Sequence, residues 1–287
     1  MPSPATRFAC LAALAGALVA CDGADRSGDA ATPGASPQAA SDGSPQRSSA
    51  DLARDVYLHP EDTFKFIGVE RAHSVLQVEP DDAWLVGALH GRLDAEPGFV
   101  AAVPMAAGDF LVKNAAAKWW NDKNVRSFSP VNPVLGPEGS ADVVITVDNA
   151  AEWFQTKRID PMFKAMFAVL KPGGVLAVIE PRAAQPVAEG DSTGYIAEKQ
   201  VVFYAELAGF QLAEWSEMNA NGKDTKDHPA GARSLPPHFE GAQADRARLQ
   251  SIGEPDRMTL KFIKPQAAAG VAPASPEADP ASAASEG

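Results

Sequence analysis

Apolar positions along this chain fall into two alternating rhythms. Ser74-Val75-Leu76-Gln77-Val78 is a short apolar run bounded by polar residues, and residues 83–89 carry apolar side chains at helical spacing, which predicts a strand followed by a helix. Val143-Val144-Ile145-Thr146-Val147, after Asp142, is β-branched throughout, as in a strand buried on both faces. Asp160 is expected to cap a helix with Pro161 at its first position and Met162, Phe163, Met166, Phe167 and Leu170 on its apolar face. Lys171-Pro172-Gly173-Gly174 predicts a turn, since proline fixes φ at the second position and glycine tolerates positive φ at the third; a strand over 175–179 follows. Residues 195–207 predict an amphipathic helix ended by Gly209, residues 210–215 a strand, and residues 257–263 the last strand.

Other segments are less patterned. Residues 51–57 have helical spacing, and His59-Pro60-Glu61-Asp62 reads as a second helix start with proline near its first position and acids in the first turn. Residues 99–103 are a weaker strand candidate, and residues 106–137 show no clear period beyond a helix around 111–120. Strands alternating with helices in this way imply an α/β fold with a parallel, doubly wound sheet and right-handed crossovers.

The ends lack such rhythm. After Arg7 the chain is apolar over 8–19, the length of a secretory h-region and too short to span a bilayer. Residues 22–50 and 265–287 are rich in Ser, Gly, Ala and Pro, and bury too little apolar surface to offset the entropy of ordering them. The reading is therefore a signal peptide over 1–20, a flexible linker over 21–50, one domain over 51–264 and a disordered tail over 265–287. Net charge is −12 at pH 7 with both signs interspersed. No basic stripe is present, so nucleic acid is not an expected partner.

Leu18-Val19-Ala20-Cys21 resembles the lipobox of bacterial lipoproteins, which implies cleavage before Cys21 and acylation of that cysteine; the plainer reading is an ordinary signal peptide with a cysteine near the cut. The first implies an exported protein on the periplasmic side of a membrane. With Cys10 removed in the signal, no intrachain disulfide or cysteine metal cluster can form. The five histidines have no metal-ligand spacing, and His228 and His238 read as loop residues.

The C-terminal half resembles the class I S-adenosylmethionine-dependent methyltransferases, and within them a bacterial group of often exported methyltransferase-like proteins. The residues that carry this are Leu170-Lys171-Pro172-Gly173-Gly174-Val175-Leu176 with Glu180 and Arg182, then Asn219-Ala220-Asn221-Gly222-Lys223-Asp224-Thr225-Lys226-Asp227, then Asp256-Arg257-Met258-Thr259-Leu260-Lys261-Phe262. The resemblance implies a Rossmann-like, three-layer, seven-stranded sheet with its last strand antiparallel, and S-adenosylmethionine as cofactor.

The cofactor motif departs from that pattern. Family members carry an acid in the first strand and a glycine-rich turn after it; here those positions read Gln77 and Pro80-Asp81-Asp82-Ala83. Ala83 adds a Cβ, and Asp81 and Asp82 add carboxylates whose mutual repulsion at ~4 Å is ~1 to 4 kcal/mol. Either aspartate is also an N-cap for a helix beginning near Ala83, which closes the anion site from within. The second strand offers no acid for the ribose hydroxyls.

If the fold follows the family, Asn149 and Trp153 follow the fourth strand, Glu180 and Arg182 the fifth, and the loop with Asn219, Asn221, Lys223 and Asp224 the sixth, all at the ligand face. A histidine that the family group often has near Asn149 is replaced by Ala151. The plainer reading makes Asn219 and Asn221 turn residues and the charges between 223 and 227 a solvated cluster. Three functions stay open: a non-catalytic lipoprotein that binds a small molecule or an envelope partner, an active methyltransferase with Glu180 or Asp224 assisting proton removal, and a structural envelope protein.

Overall fold

The structure, a computed structural model, describes residues 47–94, 98–115, 119–241 and 243–266. Cys21 and its surroundings therefore lie outside the described residues. Helix α1 (Ser49–Leu58) is started by a capping box in which Ser48 accepts from the Asp51 N–H and Asp51 accepts from the Ser48 N–H. It thus begins two residues before the sequence pattern shows it. Helix α2 (Pro60–Ile67) has Pro60 at its first position, as expected.

The strands are β1 (Val75–Val78), β2 (Phe99–Val103), β3 (Val125–Ser127), β4 (Ala141–Val147), β5 (Leu170–Ala183), a two-residue β6 (Ile196–Ala197), β7 (Gln211–Ser216) and β8 (Arg257–Ile263). Seven form the path β3-β2-β1-β4-β5-β8-β7, with β6 beside β5. All pairings are parallel except those of β8, which is antiparallel to both β5 and β7. The fold is therefore the mixed α/β sheet with an antiparallel last strand that the family resemblance implies.

The remaining helices are α3 (Trp84–Leu89), α4 (Ala107–Lys113), α5 (Ala150–Gln155), α6 (Ile159–Val169), α7 (Glu198–Leu207) and α8 (Arg246–Ile252). Strand alternation sorts the core into two layers. Val143 and Ile145 of β4 pack with Leu58, Phe64, Ile67 and Trp84 on one face. Val144 packs with Trp153, Met162, Phe163 and Met166 on the other. Each such buried side chain contributes about 1.5–3 kcal/mol. Among the described residues, no helix is long and apolar enough to cross a membrane.

Several boundaries differ from the sequence pattern. The helix expected around 111–120 is α4, which ends at Lys113; Trp119 and Trp120 instead pack on Phe110 and Val125 in a cluster against β2 and β3. Helix α6 starts at Ile159, so Pro161 sits at its third position and Asp160 in its first turn. Leu170 pairs with Ala141 and Val175 with Val143, so Lys171-Pro172-Gly173-Gly174 bulges out of one long strand, with Gly173 at φ +81. Ile196 and Ala197, read as helix, are extended and pair with β5.

Candidate functional site

Parallel strands end together, so the side chains that follow them meet at one rim. After β1 the chain turns through Glu79, at φ +46, and Pro80 into Asp81 and Asp82. The Glu79 carboxylate is buried; it accepts from Trp153 Nε1 at 3.0 Å and from Arg158 Nη1 at 2.8 Å. Helix α3 has Ala83 at its N-cap, without a side-chain bond, so neither aspartate is the N-cap residue as expected. Asp82 still supplies the acceptor: its Oδ1 takes the Trp84 N–H at 2.8 Å.

A chain of ion pairs, buried at Glu254 and Arg257, ties this turn to the far end of the sequence. Arg54 of α1 pairs with Asp82 and donates from Nε to Glu254 Oε1 at 2.6 Å. Glu254, 1 % exposed, accepts on its other oxygen from Arg257 Nη1 at 2.9 Å. Arg257 in turn grips Asp148, at the end of β4, in a two-point contact of 2.7 and 2.6 Å. Burial opposes the Arg257 charge, but Asp148 and Glu254 more than offset it and hold the guanidinium above its ordinary range. Burial likewise opposes the Asp148 charge, and Arg257 outweighs it, so that carboxyl lies below its usual range.

Beside this chain lies a cleft of about 440 Å³. Its polar rim includes Asp81, Asp148, Asn149, Arg233 and His238, and its apolar wall includes Val103, Pro104, Met105 and Phe110. A cavity of about 20 Å³ adjoins it and shares Asp81, Asp148 and His238. Gln77 lines this cavity; it is 4 % exposed, and its Oε1 has no hydrogen-bond partner among the described residues.

The residues singled out in the sequence separate into two groups. Asp81 and Asn149 line the cleft, while Gln77 and Asp82 line the small cavity and Ala83 lies beside it at the head of α3. Asn149 is fixed there by donating to the Val78 carbonyl at 3.1 Å and the Thr146 hydroxyl at 3.0 Å. The others turn inward or away. Trp153 is fully buried beneath Glu79. Glu180, fully enclosed, accepts the N–H groups of Asn149, Ala150 and Ala151 at 2.9–3.0 Å and so anchors the start of α5. Burial, and next the Asp148 charge, push its carboxyl up to about 8 against those three bonds.

Arg182 is clasped by Glu217, with two contacts of 2.8 Å, and by Asp256. The loop from Asn219 to Asp227 follows β7 and sits at the same end of the sheet. The Asn219 amide meets the Thr259 hydroxyl at 2.8 Å, and Asn221 donates to the carbonyls of Ile252 and Glu254. Asp224 accepts from the Tyr195 hydroxyl, His228 Nε2 and the N–H groups of Lys226 and Asp256. Lys223 is exposed. Glu180, Arg182 and this loop thus follow their strands at the ligand end of the sheet with Asn149, but only Asn149 of them lines the cleft; the others brace its surroundings. The cause is that each carboxylate or guanidinium finds a complete set of partners within the fold.

Arg54, Glu254, Arg233 and the cleft-facing His238 have no local signature in sequence; Arg257, by contrast, lies in a stretch that carries the family resemblance. Among the described residues, no group of three or more His, Cys, Asp or Glu side chains is arranged to hold a metal ion.

Neither a protein-family model nor a curated protein sequence matches the chain. Solved structures of similar fold include a SAM-dependent methyltransferase from Aquifex aeolicus, 16% identical, covering 75% of this chain and 94% of its own, at a TM-score of 0.47. They also include a cyclopropane synthase from Mycobacterium tuberculosis (15%, 76% and 87%, 0.48) and a geranyl diphosphate methyltransferase in complex with SAM (12%, 77% and 93%, 0.49). These likenesses are low in identity and in superposition. The fold class rests on the strand order itself, a Rossmann-like α/β sheet whose last strand alone runs antiparallel.

Proposed function

We propose that this chain is a methyltransferase-fold module that no longer takes S-adenosylmethionine and instead binds another small molecule in its cleft, without methyl transfer. The observation that carries the reading is the ion pair of Arg54 with Asp82 across the first turn, continued into buried Glu254. A turn that holds a cofactor leaves its N–H groups and backbone open to it; here Asp82 takes the first N–H of α3 and a helix outside the sheet clamps the turn.

The residues present do not fit the cofactor in two further respects. Gln77 stands where the family's acid would be, with its carbonyl oxygen unpartnered among the described residues. The end of β2 offers Val103, Pro104 and Met105 where the ribose hydroxyls need a carboxylate. The cleft nonetheless has the volume of a small-molecule site. The Leu18-Val19-Ala20-Cys21 motif supports a lipid tether on the periplasmic side of a bacterial membrane, and residues 22–46 are long enough to let the domain stand off that surface. Titration of the full chain with S-adenosylmethionine tests the reading, with no saturation expected at micromolar concentrations.

A further inference from the structure

The cleft, read as a small-molecule site, has one end built for a particular group. Asp81, Asp148 and His238 line both the cleft and the 20 Å³ cavity, so the two spaces adjoin at two carboxylates. That volume admits one water-sized polar group and no more. Gln77 also lines the cavity, with the paired Arg54 and Asp82; Gln77 is more than nine-tenths buried, with Oε1 lacking any donor among the described residues. An unmet buried carbonyl costs about 1–3 kcal/mol, so a group that donates to it is favoured there.

The carboxylates differ in how fully they are engaged. Asp148 is held by Arg257 at 2.6–2.7 Å, and each carboxylate oxygen has a further lone pair. Asp81 is held loosely. Arg233 approaches it only to 3.7 Å and His238 to 3.6 Å, beyond hydrogen-bond range, and Arg233 is already bound to Glu240 at 2.6 Å. Burial, and then the Arg233 charge, keep His238 below its ordinary pKa, so it adds little positive charge at neutral pH. The far wall is more apolar: Val103, Pro104, Met105 and Phe110 line the cleft there, with the exposed Lys113 and with Asn114 beyond them in the chain.

We propose that the cleft takes a small molecule with an apolar body and a primary ammonium group, the ammonium seated between Asp81, Asp148 and the Gln77 carbonyl and the body against Val103 to Met105 and Phe110. The inference rests on the small-molecule reading above. An ammonium has three donors and no acceptor, which matches three acceptors around a cavity of its size. An anionic ligand meets two carboxylates there, and a neutral one leaves Asp81 with only its loose approaches from Arg233 and His238.

Calorimetric titration of the full chain with tryptamine, phenethylamine and cyclohexylmethylamine, set against N-acetyltryptamine and indole-3-propionate, tests this. At least one amine is expected to bind saturably, at least tenfold tighter than the uncharged and anionic compounds. Asp81→Asn is expected to weaken that amine at least tenfold, about 1.4 kcal/mol, with unfolding temperature unchanged because Asp81 is half-exposed. Gln77→Leu is expected to weaken it while leaving the fold at least as stable. Equal affinity for tryptamine and its N-acetyl form, indifference to Asp81→Asn, or no saturable binding of any amine at millimolar concentration each overturns the proposal. S-adenosylmethionine in a parallel cell separates the two readings. Its tight binding removes the claim of a lost cofactor, whereas silence of all three amines beside silence of S-adenosylmethionine removes only the ammonium seat.

Discussion

Arg54 and Glu254, 200 positions apart in sequence, meet at 2.6 Å beneath the first turn of the sheet. Glu254 is enclosed, and Arg54 and Arg257 are the cations that neutralise it. Arg54→Ala leaves Glu254 and Asp82 short of one positive charge, so a destabilisation of about 3–5 kcal/mol is expected. Urea unfolding measures it, and the double variant Arg54→Ala/Glu254→Gln should recover part of the loss. A loss under about 1 kcal/mol in the single variant, the range of an exposed ion pair, contradicts this role.

Glu180 gives the fold a dependence on pH. Its carboxyl is raised from 4.5 to about 8, so the folded state holds the proton more tightly than the unfolded chain. Its contribution to stability is therefore full below about 4.5 and is lost as pH rises towards about 8. Glu180→Gln removes that titration and turns an amide nitrogen towards one of three N–H donors, at a cost of about 1–3 kcal/mol. Denaturation at a series of pH values should show a flatter profile between pH 5 and 8 in the variant, by comparison with the unaltered chain. Parallel profiles contradict the assignment.

Gly231, at φ +57, holds the loop that carries Arg233 and His238 against the strand ends. A Cβ there would overlap the Thr193 carbonyl oxygen, so Gly231→Ala must displace the loop. The strain of the left-handed conformation and the clash together are expected to cost more than about 2 kcal/mol. Hydrogen exchange should show loosened protection over residues 228–241, with the sheet retained; unchanged protection there contradicts the expectation.

Much of this architecture is legible because it is local. The β-branched run of β4 shows burial on both faces, Pro60 marks the start of α2, and Gly209 marks the end of α7. The three-residue β3 has too few positions for any period, and α4 stops short because Trp119 and Trp120 turn back onto Phe110 and Val125. The site was legible at one turn, Gln77 and Pro80 to Ala83, and at Asn149 after the fourth strand. The clamp on that turn comes from Arg54 and Glu254, joined by no sequence period, and His238 reaches the cleft on a long loop whose course no local pattern records. Glu180, Arg182 and Asp224 carry the right chemistry at the right end of the sheet, yet each is used up by N–H groups or counter-charges that appear only once the chain is folded.

For the tether, the expected product is a mature N-terminus at Cys21 carrying several acyl chains, since one chain holds only marginally at ~0.8 kcal/mol per buried methylene. Mass spectrometry of the membrane-extracted protein checks it. An unmodified cysteine, or cleavage elsewhere, removes the lipid anchor from the account.

The claim at the centre is that the first turn no longer accepts S-adenosylmethionine. In the proposed reading, the clamp of Arg54 on Asp82, the carboxylate at Asp81 and the amide at Gln77 act together against close approach and attraction. If their combined penalty is ~4 kcal/mol, a micromolar site becomes a roughly millimolar one. A variant carrying Gln77→Glu, Asp81→Gly, Asp82→Gly and Ala83→Gly together is expected to stay silent as well, because the end of β2 still lacks a carboxylate. Isothermal titration of the unaltered full chain with S-adenosylmethionine is the most direct measurement: the account predicts no saturable heat up to ~1 mM ligand, and a dissociation constant in the low micromolar range would contradict it.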